Sequence, residues 1–250
     1  MLSSLKCERY KIWHGKKFII LCLVAIGLGA LTVYLNKTMY IAGKIQEFSG
    51  LNAMMNSMSN LSVTVILSSI FLACSIGNEF QNRTLQFNIA YGIARRKIFA
   101  SKAIVNIIAC SILSLLYPIT LTIGTTIFAG WGNDIVSIQQ ISIKLVSGII
   151  MQIAIICICF GIEFISKGTK AGLVFNIVVV GVGFSILQSM SNGLELLRKI
   201  LVFTPIGYLD SWTRENVDMN FGVKMIIVNL VWGTVSLLVS YLIFKKRDLK

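Results

Sequence analysis

Charge is scarce in this 250-residue chain: 13% of its residues are Asp, Glu, Lys or Arg, whereas 56% are hydrophobic and the mean hydropathy is +0.80. Soluble domains carry about 25% charged residues. A chain this short cannot hide so much apolar surface in one water-solvated core, so a soluble globular protein is excluded. Histidine is scarcer still, with His14 alone, and no His, Asp, Glu or Cys cluster marks a catalytic metal or a proton relay. A phosphate-binding loop is missing as well. Gly15-Lys16 and Gly43-Lys44 lack both the earlier glycine and the following Ser or Thr that such a loop requires. Proline occurs only at 118 and 205, so long helices meet few interruptions. The six cysteines form no disulfide pattern: Cys22, Cys74, Cys110, Cys157 and Cys159 fall in apolar runs and Cys7 in the basic start.

What the chain has instead is long apolar runs. Crossing a hydrocarbon core of about 30 Å takes roughly 20 apolar residues in a helix. Six near-uncharged runs meet that length, over about 18–35, 61–77, 103–130, 141–166, 172–191 and 221–244. Their only charges, Lys144, Glu163 and Lys224, lie near run ends, where a long side chain reaches water. Glu163 also has Lys167 four residues on, the spacing of a helical ion pair. The runs are continuously apolar and do not alternate, which excludes barrel strands. The first is too long for a signal peptide and offers no small-residue cleavage site after Leu35. The fold class expected is an all-α membrane protein with six transmembrane helices.

Six spans place both termini on one side, and the basic excess says which. Of 23 Lys and Arg, 16 fall in the start, the 78–102 segment, the short segment around Lys167 and Lys170, and the tail; 7 fall on the other side. By the positive-inside rule both termini are cytoplasmic. The formal charge of +13 is thus an orientation signal, and nucleic acid is not an expected partner.

Three segments outside the spans carry more than a turn needs. Residues 1–17 mix Leu2, Leu5, Tyr10, Ile12 and Trp13 with five cations, the makings of an amphipathic interfacial helix. Lys11, Trp13, Lys16 and Lys17 would anchor it to the inner leaflet. Residues 78–102 make a 25-residue cytoplasmic segment, where a simple connector takes about two to eight. Its Phe80, Leu85, Phe87, Ile89 and Tyr91 suggest a docking surface. Gly92 lets the chain turn back toward the membrane, and Arg95, Arg96 and Lys97 anchor the next span. Residues 192–220, with Thr204-Pro205, are too short and interrupted to span and are expected to dip into the outer interface as a re-entrant segment.

These residues resemble the ABC-2 type transporter permeases, the membrane subunits of a class of ATP-binding-cassette exporters. The resemblance rests on four pieces in order: Leu5-Lys-Cys-Glu8-Arg-Tyr10-Lys11, the loop with Glu79, Arg83-Thr84-Leu85 and Gly92-Ile-Ala-Arg95-Arg-Lys-Ile-Phe, the Pro205 region, and the ending Phe244-Lys-Lys-Arg247-Asp248-Leu249. It implies a type V exporter-like permease fold, with 18–250 as the transmembrane domain. It also implies a loop after the second span that couples to a separate ATPase subunit. Glu79, Arg83, Thr84, Leu85, Phe87, Tyr91, Gly92 and Arg95 are the candidate coupling residues. The family often has a glycine where this chain has Arg83.

Further implications are ATP and Mg bound on the partner chain with no cofactor in this one, and assembly with a second copy or a related permease in a bacterial cell membrane. The short chain without a large outer domain looks most like permeases exporting peptides, such as bacteriocin, lantibiotic or bacitracin-type systems. Asn106, Gln152, Asn176 and Gln188 are candidates for lining a pathway, although interhelical hydrogen bonding explains them as well. Pro118 is a candidate kink. The alternatives are a stand-alone channel or ion-coupled carrier, which would work without an ATPase, and a membrane-embedded enzyme, which would need a catalytic cluster.

Overall fold

The computed structural model describes residues 2–43, 48–132, 138–166, 168–183, 186, 203–205 and 219–246. Among these residues the chain is helical throughout, with no strand. The helices are α1 (Leu2–Trp13), α2 (Lys16–Ile41), α3 (Gly50–Ser59), α4 (Leu61–Gln81), α5 (Thr84–Ala90), α6 (Arg95–Ala129), α7 (Ile138–Ser166), α8 (Thr169–Val182) and α9 (Met219–Lys246). In five of them, α2, α4, α6, α7 and α9, the run is long and apolar enough to cross a membrane. The sixth expected span is described only as the shorter apolar α8, and its remainder to 191 lies outside the described residues. So does most of the expected re-entrant segment, of which Phe203, Thr204, Pro205, Met219 and Asn220 alone are described.

Three helices make the core. Phe71, Leu72 and Ile76 of α4, Cys110 and Leu113 of α6, and Met151, Ile155 and Phe160 of α7 are all buried. Helices α2 and α9 stand on the outside. Ile20, Leu23 and Leu31 on one, and Ile227, Leu230 and Leu238 on the other, leave about half their surface uncovered. Water would not tolerate such continuous apolar faces, whereas lipid tails do. Small residues bring α2 against α6: a Cβ added at Gly29 would lie 2.8 Å from Thr120, and one at Gly124 would lie 2.7 Å from Val33.

Helix boundaries depart from the apolar runs in an instructive way. The 78–102 segment is not a free connector. Residues 78–81 finish α4, and 95–102 are the first two turns of α6, so only Asn82 to Ala94 links the two, with α5 inside it. Polar residues lower hydropathy without ending a helix. Pro118 does not end α6 either: the helix runs 35 residues through it, and the Thr122 hydroxyl donates to the Pro118 carbonyl at 2.7 Å. Helix α3 belongs to no expected span. It is capped by the Ser49 side chain, which accepts from the Asn52 N–H at 3.3 Å, and it is separated from α4 only at Asn60.

An aromatic cluster fixes the end of the bundle that carries α5. Phe80 of α4 meets Phe164 of α7 at 5.6 Å, Phe164 meets Phe99 of α6 at 5.0 Å and Phe244 of α9 at 5.3 Å. Such edge-to-face contacts each add about 0.5–1.5 kcal/mol beyond area burial. These contacts tie α4, α6, α7 and α9 together at the base on which α5 sits.

Candidate functional site

Next to that aromatic base, four charged side chains from three helices converge. Glu8 and Lys11 lie three apart on α1 and share a face, Glu79 ends α4, and Lys102 lies on the second turn of α6. The Lys102 ammonium donates to Glu8 Oε1 at 2.9 Å and also pairs with Glu79 Oε2. Lys11 Nζ lies 3.5 Å from Oε1 of both Glu79 and Glu8. The Lys102 side chain is 2% exposed, whereas that of Lys11 is 50% exposed. Burial pulls the Lys11 ammonium down, but Glu79 and Glu8 outweigh it and hold the group above its ordinary value.

One sequence expectation changes here. Lys102, counted as a cation at the membrane surface, is enclosed between two carboxylates because α1 folds back over the start of α6. Lys11, a candidate for membrane-surface anchoring, is half-exposed beside Glu79 and Glu8; Trp13, Lys16 and Lys17 are exposed as well, and Trp13 stacks edge-on to Phe18 at 5.5 Å. Lys11, Lys16 and Lys17 border a cleft of about 380 Å³ floored by Phe18 and Phe71. Neither Glu8 nor Lys102 was a candidate from sequence. They are 94 residues apart, and only the fold brings them together.

From Glu79 the chain makes a tight turn. The Thr84 hydroxyl donates to the Glu79 carbonyl at 3.2 Å. Arg83 adopts φ +56°, ψ +14°, and it is the one non-glycine with positive φ among the described residues. This left-handed conformation is one that glycine adopts more readily than arginine. Helix α5 then shows two faces. Leu85 is 1% exposed and Ile89, four residues on, packs on the core, whereas Phe87 and Tyr91, also four apart, are 60% and 84% exposed. Gly92, at φ +79°, turns the chain toward α6. Arg95 Nη1 donates to the Lys245 carbonyl at 2.9 Å, tying the start of α6 to the end of α9. All eight candidate coupling residues thus lie on one short stretch, with Leu85 as its inward anchor.

The polar residues of the spans are placed separately. Asn106 is fully buried, accepting from Ser75 Oγ at 2.7 Å and donating to the Lys102 carbonyl at 2.9 Å. Gln152 points its amide nitrogen at Met58 Sδ, 3.9 Å away. Asn176 Nδ2 lies 3.5 Å from Glu163 Oε2. Gln188 lies outside the described residues. Glu163, expected to reach water at a helix end, is instead fully buried between glycines. A Cβ on Gly77 would lie 2.6 Å, and one on Gly172 2.1 Å, from its carboxylate. Lys167, its expected partner, lies outside the described residues. The six cysteines are free thiols.

Residues 4–183 match the model of the family described as ABC-2 family transporter protein. No curated protein matches the chain.

Proposed function

The chain belongs to the ABC-2 transporter family, a family of membrane transport components, and from that premise we propose that it is the permease subunit of an ATP-binding-cassette exporter. The observation that carries the reading is the two-faced α5. Leu85 and Ile89 are held by the core while Phe87 and Tyr91 stand out, the arrangement of a short helix meant to seat in another protein. The ATPase subunit with which the family works would receive it. ATP and Mg would be bound there, since this chain carries no phosphate-binding loop.

The chain would cross a bacterial cytoplasmic membrane six times with both termini inside, α8 beginning the fifth crossing, and would pair with a second copy or a related permease. The cargo would be a peptide or amphipathic compound of the bacteriocin, lantibiotic or bacitracin kind. Closure of the two ATPase subunits would push on α5. Through the Glu79–Lys102–Glu8 contacts the push would reach α1 and α6 together, and through Phe80 and Phe164 it would reach α7, so the helices move as a body between inward and outward exposure.

The test is purification with candidate ATPases and measurement of ATP turnover, for the native chain and for a Phe87→Ala, Arg83→Ala variant. A loss of turnover stimulation is expected. Undiminished complex formation and stimulation would contradict the assignment.

A further inference from the structure

Glu163 is buried where three helices meet. It lies near the end of α7, with Gly77 of α4 and Gly172 and Asn176 of α8 against it. A Cβ on Gly77 would fall 2.6 Å from Glu163 Oε1 and 2.7 Å from the Cα of Thr169, the first residue of α8. The seam is closed down to backbone contact, and Glu163 is 0% exposed. Both neighbouring helices widen into π-helical turns here, α4 over Ala73–Gly77 and α8 over Asn176–Val182. Such turns are rare and concentrate at functional sites.

The fold treats its buried charges unequally. Lys102 is enclosed by two carboxylates, whereas among the described residues no cation pairs with Glu163. On α8, Lys170 is exposed; near the end of α4, Glu79 is taken up with Lys102 and Lys11; on α7 itself, Cys159 lies one turn back and Lys167 falls outside the described residues. Polar contacts are as sparse. Asn176 Nδ2 donates to Glu163 Oε2 at 3.5 Å, the outer limit of a hydrogen bond, and Oε1 has no partner. Asn176 Oδ1, also buried, lacks a donor as well. A charge stripped of both water and counter-charge is far costlier than the neutral acid, so a carboxyl in such surroundings takes up a proton. That proton supplies a donor where donors are short, and an asparagine amide meets either form of the acid, by its nitrogen or by its oxygen.

We infer that Glu163 is a proton-binding site: it is a neutral acid while α8 is closed on α4 and α7, and it releases its proton to water when that seam opens. The consequence follows by linkage. A proton held more tightly by the closed seam favours closure at low pH, and its loss as pH rises favours opening. The site adjoins the contacts described above, since Phe164 belongs to the aromatic cluster and Glu79, two residues past Gly77, pairs with Lys102. Opening of the seam would reach the base of α5 through both. The inference depends on neither the cargo nor an ATPase.

The experiment is infrared difference spectroscopy of the full chain in phosphatidylcholine nanodiscs, native against Glu163→Gln. At neutral pH the native chain should show the carbonyl stretch of a protonated carboxyl, and the Glu163→Gln chain should lack it. Isotope-labelled glutamate in the native chain should shift the same band, a reading that stands even if Glu163→Gln folds poorly. Spin labels replacing the exposed Gln81 and Ala171 report the distance between α4 and α8. It should lengthen in the native chain as pH is raised from neutral and stay fixed in Glu163→Gln, whose side chain is neutral throughout. Only ionised carboxylates in the native chain at neutral pH, or a protonated band undiminished in Glu163→Gln, would overturn the site. Equal lengthening in both chains would overturn its link to the seam.

Discussion

The two ends of this bundle solve opposite problems with different chemistry. Around α5, charge is concentrated and closed: Lys102 is held between Glu8 and Glu79, and aromatic rings from four helices lock the surrounding backbone. At the far end the described side chains around a cleft of about 340 Å³, among them Thr32, Asn36, Asn52 and Thr125, are uncharged and mostly polar. A buried ion cluster is costly to form and strongly directional, so it fixes how α1, α4 and α6 meet. The comparison sets a charged, closed end against an uncharged, open one.

The largest effect expected comes from removing the shared cation. Lys102→Met leaves Glu8 and Glu79 sharing only the half-exposed Lys11 and should lower unfolding free energy by up to about 3–5 kcal/mol, read by thermal unfolding of the purified chain. Adding Glu8→Gln and Glu79→Gln to the same chain should recover part of that loss; a Lys102→Met chain as stable as the native one would break the contrast between the two ends. Next is Gly172→Ala. Its new Cβ would fall 2.1 Å from Glu163 Oε2, and overpacking of this kind costs about 1–3 kcal/mol. Pairing it with Glu163→Ala should restore stability.

A smaller change of opposite sign is expected at the turn. Arg83→Gly relieves a left-handed backbone and should stabilise the α4–α5 junction by up to about 1 kcal/mol, seen as slower amide exchange at Thr84 to Phe87, whereas Arg83→Ala should not. The smallest effect concerns pH. The Lys11 ammonium is held above its ordinary 10.5, so its contribution is complete below that value and is lost only as pH rises through the folded-state value. Spin-label distances between α1 and the end of α4 should stay constant through neutral pH and lengthen only in that alkaline range. A change near neutrality would assign the contact to other groups.

How much of this could be read in the sequence follows from what each signal measures. Continuous apolar runs found the long helices, because a lipid-facing or core helix must be apolar along its length. Helix ends were misjudged wherever a helix continues through polar residues, as α6 does from Arg95 to Lys102 and α4 does to Gln81. Helix α3, with Asn52 and Asn56 on one face, is too short and too polar to leave a spanning signal. Glu79, Phe87 and Tyr91 stood out because aromatic residues beside charge are rare outside spans. Glu8 and Lys102 did not, since an ion pair between residues 94 apart leaves no mark in a single sequence. The left-handed backbone at Arg83 was hinted at only by the family resemblance, which expects a glycine there.

One measurement bears most directly on the division of labour. A photocrosslinking amino acid is placed at Tyr91 in one preparation and at Asn36 in another, and each is irradiated in membranes that also contain the ATPase subunit. The account predicts an adduct with the ATPase from position 91 and none from position 36. An adduct from position 36, or none from position 91 in a complex that still hydrolyses ATP, would contradict it.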